Sequence, residues 1–320
     1  MTTSRSTGTL SFGVRFEPDW PPEELPEFAR WAEEHGYDEL WFSEDLPWSG
    51  GIAMAAAALV ATTRLRVGLG LLPVVTRNVA TLAMEIATLE RLAPGRVVVG
   101  LGHGVPEWME QIGAAPTSPS AALEETTVVL RRLLDGEEVT SHGKHVDVEG
   151  LRLGLPPAAC PEVLIGTTGP RGLATAGRTS DGVVLPEVTT PDAVRWARAT
   201  MAAAGAAEST VLFAMANLDD DRHVALAQTR TKIQRILDLG IFPRLTEIAG
   251  LGADGRGQLS DATLASMTAA GTPDDVERAV TAWADAGATC VVLVAGDEDA
   301  RSSYARFAAE VLPRLRGPVG

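Results

Sequence analysis

Eight times along this chain a short apolar run precedes a stretch with helical periodicity, and that alternation limits the fold more than any other feature. The runs are Leu10–Phe16, Glu39–Ser43, Leu65–Leu72, Arg96–Leu101, Val163–Thr167, Gly182–Leu185, Val211–Asn217 and Cys290–Val294. Most are continuous and rich in β-branched residues and leucine, as parallel strands covered on both faces require. Between them, apolar residues recur at helical spacing. Leu25, Phe28, Ala29 and Ala32 mark one helix, and Val79, Leu82, Ala83, Ile86, Leu89 and Leu92 another. An α/β fold follows. The alternation alone does not separate a closed barrel from an open doubly wound sheet. Two segments interrupt it. Glu138–His142 and Lys144–Val148, split by Gly143, predict a small hairpin before the fifth strand. A long stretch, Phe242–Ala270, lies between the seventh and eighth.

Size and charge narrow the function. The 320 residues suffice for one α/β barrel with loops to spare. We expect a disordered tail over 1–9 and a single domain over 10–320. Lys and Arg number 27 against 42 Asp and Glu, a formal charge of −15. Such a surface repels nucleic acid and anionic membranes. No apolar run reaches the ~20 residues of a membrane helix, and no signal-peptide pattern opens the chain. Cys160 and Cys290 are the two cysteines, which excludes a disulfide framework. The expected location is the cytoplasm. The histidines lack metal-ligand spacing, so no metal is expected.

In a barrel, the chemistry sits just after each strand. After the fifth strand, Gly166, Thr167, Thr168, Gly169, Pro170 and Arg171 offer close backbone approach, two hydroxyls, the start of a helix and a counter-charge. These are the parts of a phosphate site, and equally of an ordinary strand-to-helix turn. After the fourth, Gly102, His103 and Gly104 would let a flat ring lie on the backbone, with His103 bonding to it or moving a proton. A plain loop histidine fits as well. The dinucleotide fingerprint is excluded, because Val105-Pro106 follows where a long helix should open. After the second, Glu44 and Asp45 are adjacent carboxylates whose side chains leave a strand on opposite faces. Trp48 and Trp108 lie in loops and could roof a pocket.

In this order these segments resemble the bacterial luciferase-like family, from Leu10 to Leu315. The stretches that carry the resemblance are Gly36-Tyr-Asp-Glu-Leu-Trp-Phe-Ser-Glu-Asp, Thr63-Arg-Leu-Arg-Val-Gly with Arg77-Asn78 and Ala87-Thr-Leu-Glu-Arg-Leu-Ala-Pro-Gly-Arg, Val99-Gly-Leu-Gly-His-Gly, and Gly169-Pro-Arg-Gly-Leu-Ala-Thr-Ala-Gly-Arg-Thr-Ser-Asp-Gly. The family contains reduced-flavin monooxygenases and oxidoreductases that use the deazaflavin coenzyme F420.

The resemblance implies a (β/α)₈ TIM barrel with insertions after strand four and between strands seven and eight. It implies a bulge at the end of the third strand near Gly70, Leu71 and Leu72, often with a non-proline cis peptide, behind the cofactor ring. Glu44, Gly70, Leu71, Leu72, Gly102, His103, Gly104 and Gly166 to Arg171 are then the expected cofactor contacts. Phe16, Trp48 and Trp108 are the expected substrate pocket. Many F420-using relatives carry Asp-His where this chain has Glu44-Asp45, so His103, Asp45 or Glu107 would handle the proton. The implied reaction is hydride transfer between F420 and a small organic substrate, with FMN as the alternative cofactor. The competing readings are a reduced-FMN monooxygenase, a non-catalytic flavin-binding barrel, and a cofactor-free lyase or isomerase. The family pattern also admits a homodimer and a separate flavin or F420 reductase as partners. Val105–Pro119 and Phe242–Ala270 are the natural lid candidates, and the sequence does not say whether they close over the site.

Overall fold

In a computed structural model that describes residues 10–296 and 299–317, the apolar runs form one closed parallel barrel. The tail expected over 1–9 lies outside the described residues. The first half of the barrel alternates β1 (Ser11–Arg15), α1 (Leu25–Glu34), β2 (Glu39–Phe42), α2 (Gly51–Ala61), β3 (Arg66–Pro73), α3 (Val79–Leu92) and β4 (Val97–Gly102). A short α4 (Pro106–Gln111) and a longer α5 (Pro119–Leu134) follow, then the hairpin β5 (Val139–His142) and β6 (Asp147–Leu151). The second half continues with β7 (Glu162–Gly166), α6 (Pro170–Thr179), β8 (Gly182–Leu185), α7 (Pro191–Ala202) and β9 (Ser209–Leu218). After it come α8 (Arg222–Asp238), α9 (Pro243–Ile248), α10 (Asp261–Ser266), β10 (Ala269–Gly271), α11 (Pro273–Asp285), β11 (Cys290–Ala295) and α12 (Ala300–Arg306).

The barrel order is β1-β2-β3-β4-β7-β8-β9-β11, closed by β11 on β1. All of these pairings are parallel, so all eight strands point their C-terminal ends at one mouth. β10 pairs with the far end of β9, outside the ring. The stretch Phe242–Ala270 therefore holds α9, α10 and β10.

Parity along each strand divides the side chains into two layers. Outward residues such as Phe12, Val14, Leu40, Val67, Val97, Ile165 and Leu212 pack against the helices. Inward residues such as Trp41, Val98, Leu164, Val211, Phe213 and Val292 fill the lumen. The helix stripes behave as their spacing predicts, except that Leu92 lies at the end of α3 and is exposed. The hairpin pairs Ser141 with Val148 and His142 with Asp147, and its second strand begins later than predicted. The cause is Glu125 on α5. Its carboxylate accepts the N–H groups of Lys144, His145 and Val146, which commits those residues to the turn. Among the described residues, no helix is long and apolar enough to cross a membrane.

Candidate active site

The mouth is built on a tryptophan. Trp41 of β2 points into the lumen and is fully buried. Its Nε1 donates to Glu39 Oε2 at 2.8 Å, and its ring meets Phe213 edge to face at 5.7 Å. The indole lies where a Cβ on Gly68 would be, and within 2.7 Å of a Cβ on Gly70. Two glycines in β3 therefore make room for one large side chain.

At the mouth, the Gly70–Leu71 peptide is cis and the pairing of β3 with β4 slips between Gly70 and Leu72. The family resemblance implied a bulge there. Its effect is to turn Leu71 inward. The Leu71 side chain takes the space that Cβ atoms on Gly102 and Gly166 would need, the former at 2.7 Å. A Cβ on Gly100 would sit 2.6 Å from Leu69 O. The result is an apolar shelf formed by Leu71 and by backbone at the ends of β3, β4 and β7. Leu72, expected as a cofactor contact, faces the other way. After the bulge it returns to the outer layer, 1% exposed, near Gly51 at the start of α2.

Beside the shelf, β7 runs from Gly166 through half-buried Thr167 and Thr168 into the ten-residue helix α6. Gly169 is its N-cap. No side chain caps the first N–H groups, and no acid stands in the first turn. A Cβ on Gly169 would meet nothing within 4 Å, while one on Gly172 would strike Thr167 Oγ1. Arg171 is exposed and makes no ion pair among the described residues. Free amide hydrogens, a helix dipole and an uncommitted guanidinium at one point attract an anion such as phosphate. Shelf and loop together fit a flat ring that carries a phosphorylated tail.

His103 follows β4 and is half-buried. Burial holds its pKa below the ordinary histidine value, which favours the neutral ring. Gly104 adopts φ +73°, and a Cβ there would lie 2.9 Å from Met109 Sδ, so only glycine suits that turn. Trp48 comes from the loop after β2, whereas Trp108, expected in a loop, lies in the short helix α4 after β4. Their rings meet edge to face at 6.3 Å and form a lip, with Trp48 51% exposed. Glu107 stands exposed in the first turn of α4.

Two further expected residues, Phe16 and Glu44, do other work. Phe16 is not in a substrate pocket. It is 1% exposed and packs edge to face on Trp20 and Phe28, because strand parity sends it to the helix layer. Glu44 is committed to its own scaffold. Arg77 holds both of its oxygens, at 2.7 Å for Oε2, and Oε2 also accepts the Gly51 N–H at 2.8 Å at the start of α2. Asp45 accepts from Ser43 Oγ at 2.6 Å and remains half-buried.

The residue beside Phe16 is the one the sequence left unmarked. Arg15 points into the lumen. Its Nε donates to Glu17 Oε2 at 2.9 Å and its Nη1 to Glu187 Oε1 at 3.1 Å. Glu17 Oε1 accepts from the Ala295 N–H at 3.0 Å and from Tyr304 Oη at 3.4 Å. Burial alone would lower the Arg15 pKa, and the two carboxylates more than reverse it, so the group stays charged.

Comparison with known proteins gives a consistent set of relatives. The sequence profile of the luciferase-like monooxygenases matches residues 3–290. The chain is 27% identical to a 5,10-methylenetetrahydromethanopterin reductase of Archaeoglobus fulgidus, over 96% of this chain and 100% of that protein. It is also 27% identical to an F420-dependent glucose-6-phosphate dehydrogenase of Nakamurella multipartita, over 97% and 98%. The fold superposes on the coenzyme F420 dependent tetrahydromethanopterin reductase of Methanopyrus kandleri with a TM-score of 0.81 and 22% identity, covering 96% of this chain and 100% of the other.

Proposed function

The chain belongs to the luciferase-like monooxygenase family, and from that premise we propose that it is an oxidoreductase that moves hydride between F420 and a small organic substrate. The observation that carries the reading is the adjacency of two features. The backbone shelf at Gly70, Leu71, Gly100, Gly102 and Gly166 lies beside the uncapped start of α6. The shelf offers a flat apolar face, and the loop from Thr167 to Arg171 offers hydroxyls, amide hydrogens and a positive charge. The F420-dependent proteins among the relatives support the deazaflavin over FMN.

Each residue has a role in this reading. Leu71 and the neighbouring backbone hold the ring's back face. Thr167, Thr168, Arg171 and the first amides of α6 hold the phosphate. His103, kept neutral, donates to or accepts from a polar atom at the ring edge. Trp48 and Trp108 exclude water from the open side. F420, when bound, supplies two-electron hydride chemistry, and the protein orients it. A separate F420 reductase or dehydrogenase would regenerate the cofactor, and a homodimer is the expected assembly.

The test is equilibrium binding of the cofactor-free protein to F420 and FMN, each oxidised and reduced, read by ring fluorescence or calorimetry. We expect selective binding of F420. Selective binding of reduced FMN would replace the reading with a monooxygenase served by a flavin reductase. Binding of neither would overturn the redox reading.

A further inference from the structure

Arg15 and Glu187 form a charged tie across the lumen that neither the ring shelf nor the phosphate loop uses. Arg15 lies between Val14 and Phe16, both packed toward the helices. Its partner in the strand register is Trp41, whose ring fills the lumen. Glu187 lies two residues beyond the end of β8. In the sheet, β9 and β11 stand between β8 and β1. The bond of 3.1 Å from Arg15 Nη1 to Glu187 Oε1 therefore passes over the ends of those two strands, inside the mouth.

The two ends of this tie are unequal. The guanidinium is committed, since Nε and Nη2 both donate to Glu17 Oε2, and Glu17 is itself anchored by Ala295 and Tyr304. Glu187 is committed on one side only. Its side chain is 14% exposed, yet Oε2 has no partner among the described residues and is not sealed from solvent. A carboxylate fixed by one oxygen and open at the other, at the mouth of the strands, is placed to receive a hydrogen.

We infer that Glu187 Oε2 faces the substrate and takes up the substrate proton, and that Arg15 is the residue that positions it. This rests on the F420 reading above. In substrate oxidation, the O–H or N–H bond of the substrate breaks and its proton passes to Glu187 Oε2. The neighbouring C–H bond breaks and its electron pair leaves with hydrogen, as hydride, for the oxidised deazaflavin. The carbon becomes a carbonyl or imine, oxidised by two electrons, and the deazaflavin is reduced by two. In the reverse direction Glu187 returns the proton. The substrate group that meets Glu187 is thus a hydrogen-bond donor, not a phosphate or carboxylate.

The test uses the full chain loaded with F420. The midpoint potential of the bound cofactor is measured against a dye across a pH series, for the wild type, Glu187→Gln and Glu187→Asp. A carboxylate that meets a substrate held against the ring also stands near the ring, and its charge disfavours the electron-rich reduced form. Glu187→Gln should therefore favour reduction by about tenfold, or about 30 mV for a two-electron couple. It should also flatten the dependence of potential on pH, because no carboxylate remains near the ring to take up a proton as the ring gains charge. Glu187→Asp should restore the wild-type values. A Glu187→Gln protein that binds F420 with unchanged potential and pH slope would overturn the inference. So would a Glu187→Asp protein that shifts as far as the amide. Failure of the wild type to bind F420 would count against the proposed function instead.

Discussion

The barrel contains the same ionic motif at both ends, one arginine between two glutamates, and the two copies differ by a single oxygen atom. At the N-terminal floor, Arg66 reaches Glu39 Oε1 at 2.9 Å and Glu162 Oε2 at 2.6 Å. Glu39 Oε2 also accepts from Trp41 Nε1 and Cys290 Sγ, and Glu162 Oε1 from Ser209 Oγ. Every carboxylate oxygen there is bonded, and Glu39 is fully buried. At the mouth, Arg15 binds Glu17 and Glu187, but Glu187 keeps one oxygen open. A half-buried arginine between acids is therefore no sign of function in itself. The floor network is closed and serves the scaffold, whereas the mouth network has an open valence where substrate would enter.

If that contrast is right, substitutions at the two ends should separate stability from binding. The largest effect is expected at the floor. Arg66→Met leaves two acids without their cation in the barrel interior and should cost about 3–5 kcal/mol in urea unfolding; a cost under about 1 kcal/mol would make the floor pair dispensable. Next comes Arg171→Ala at the mouth. It should leave the unfolding midpoint unchanged and weaken F420 by roughly tenfold or more in a fluorescence titration, the value of one charge-assisted bond. Equal affinity would remove the loop from the cofactor site. Glu187→Gln should change stability by only about 1 kcal/mol, because the amide still accepts from Arg15. A loss as large as that of Arg66→Met would erase the difference between floor and mouth.

The smallest effect belongs to His103, and its sign is fixed by burial. Its folded pKa lies below the ordinary histidine value, so the unfolded chain binds that proton first. The stability owed to neutral His103 is complete above about pH 6.5 and is lost as pH falls from there through the lowered pKa. Unfolding midpoints measured from roughly pH 5 to 8 should decline less on the acid side in His103→Gln. A decline of the same steepness would assign the acid loss to other groups.

Strand and helix order was legible because parallel strands covered on both faces are apolar throughout. That same uniformity hid the parity. In Val14-Arg15-Phe16 the sequence offers an aromatic residue to the pocket, but the pleat sends Phe16 to the helices and Arg15 to the lumen. The loop from Gly166 to Arg171 could be picked out as a candidate anion site because its parts are local, one strand end and one helix start. Glu187 could not, since its partner lies 172 positions away. Glu44 misled for the same reason: nothing near it in sequence announces that Arg77 and the start of α2 will claim it. Local chemistry can be read from neighbours, whereas pairing across a barrel depends on a closure that no short motif encodes.

Tyr304 gives that closure a consequence in time. Glu17 stands just after the first strand, yet Ala295 and Tyr304 hold it in place, and Tyr37 Oη in turn donates to the Tyr304 carbonyl at 2.7 Å. During synthesis, residues 15 and 17 wait while nearly three hundred positions are added before their clasp exists. The mouth thus matures last although its arginine is made first, and a nascent chain halted short of α12 would lack the seat that orients Glu187.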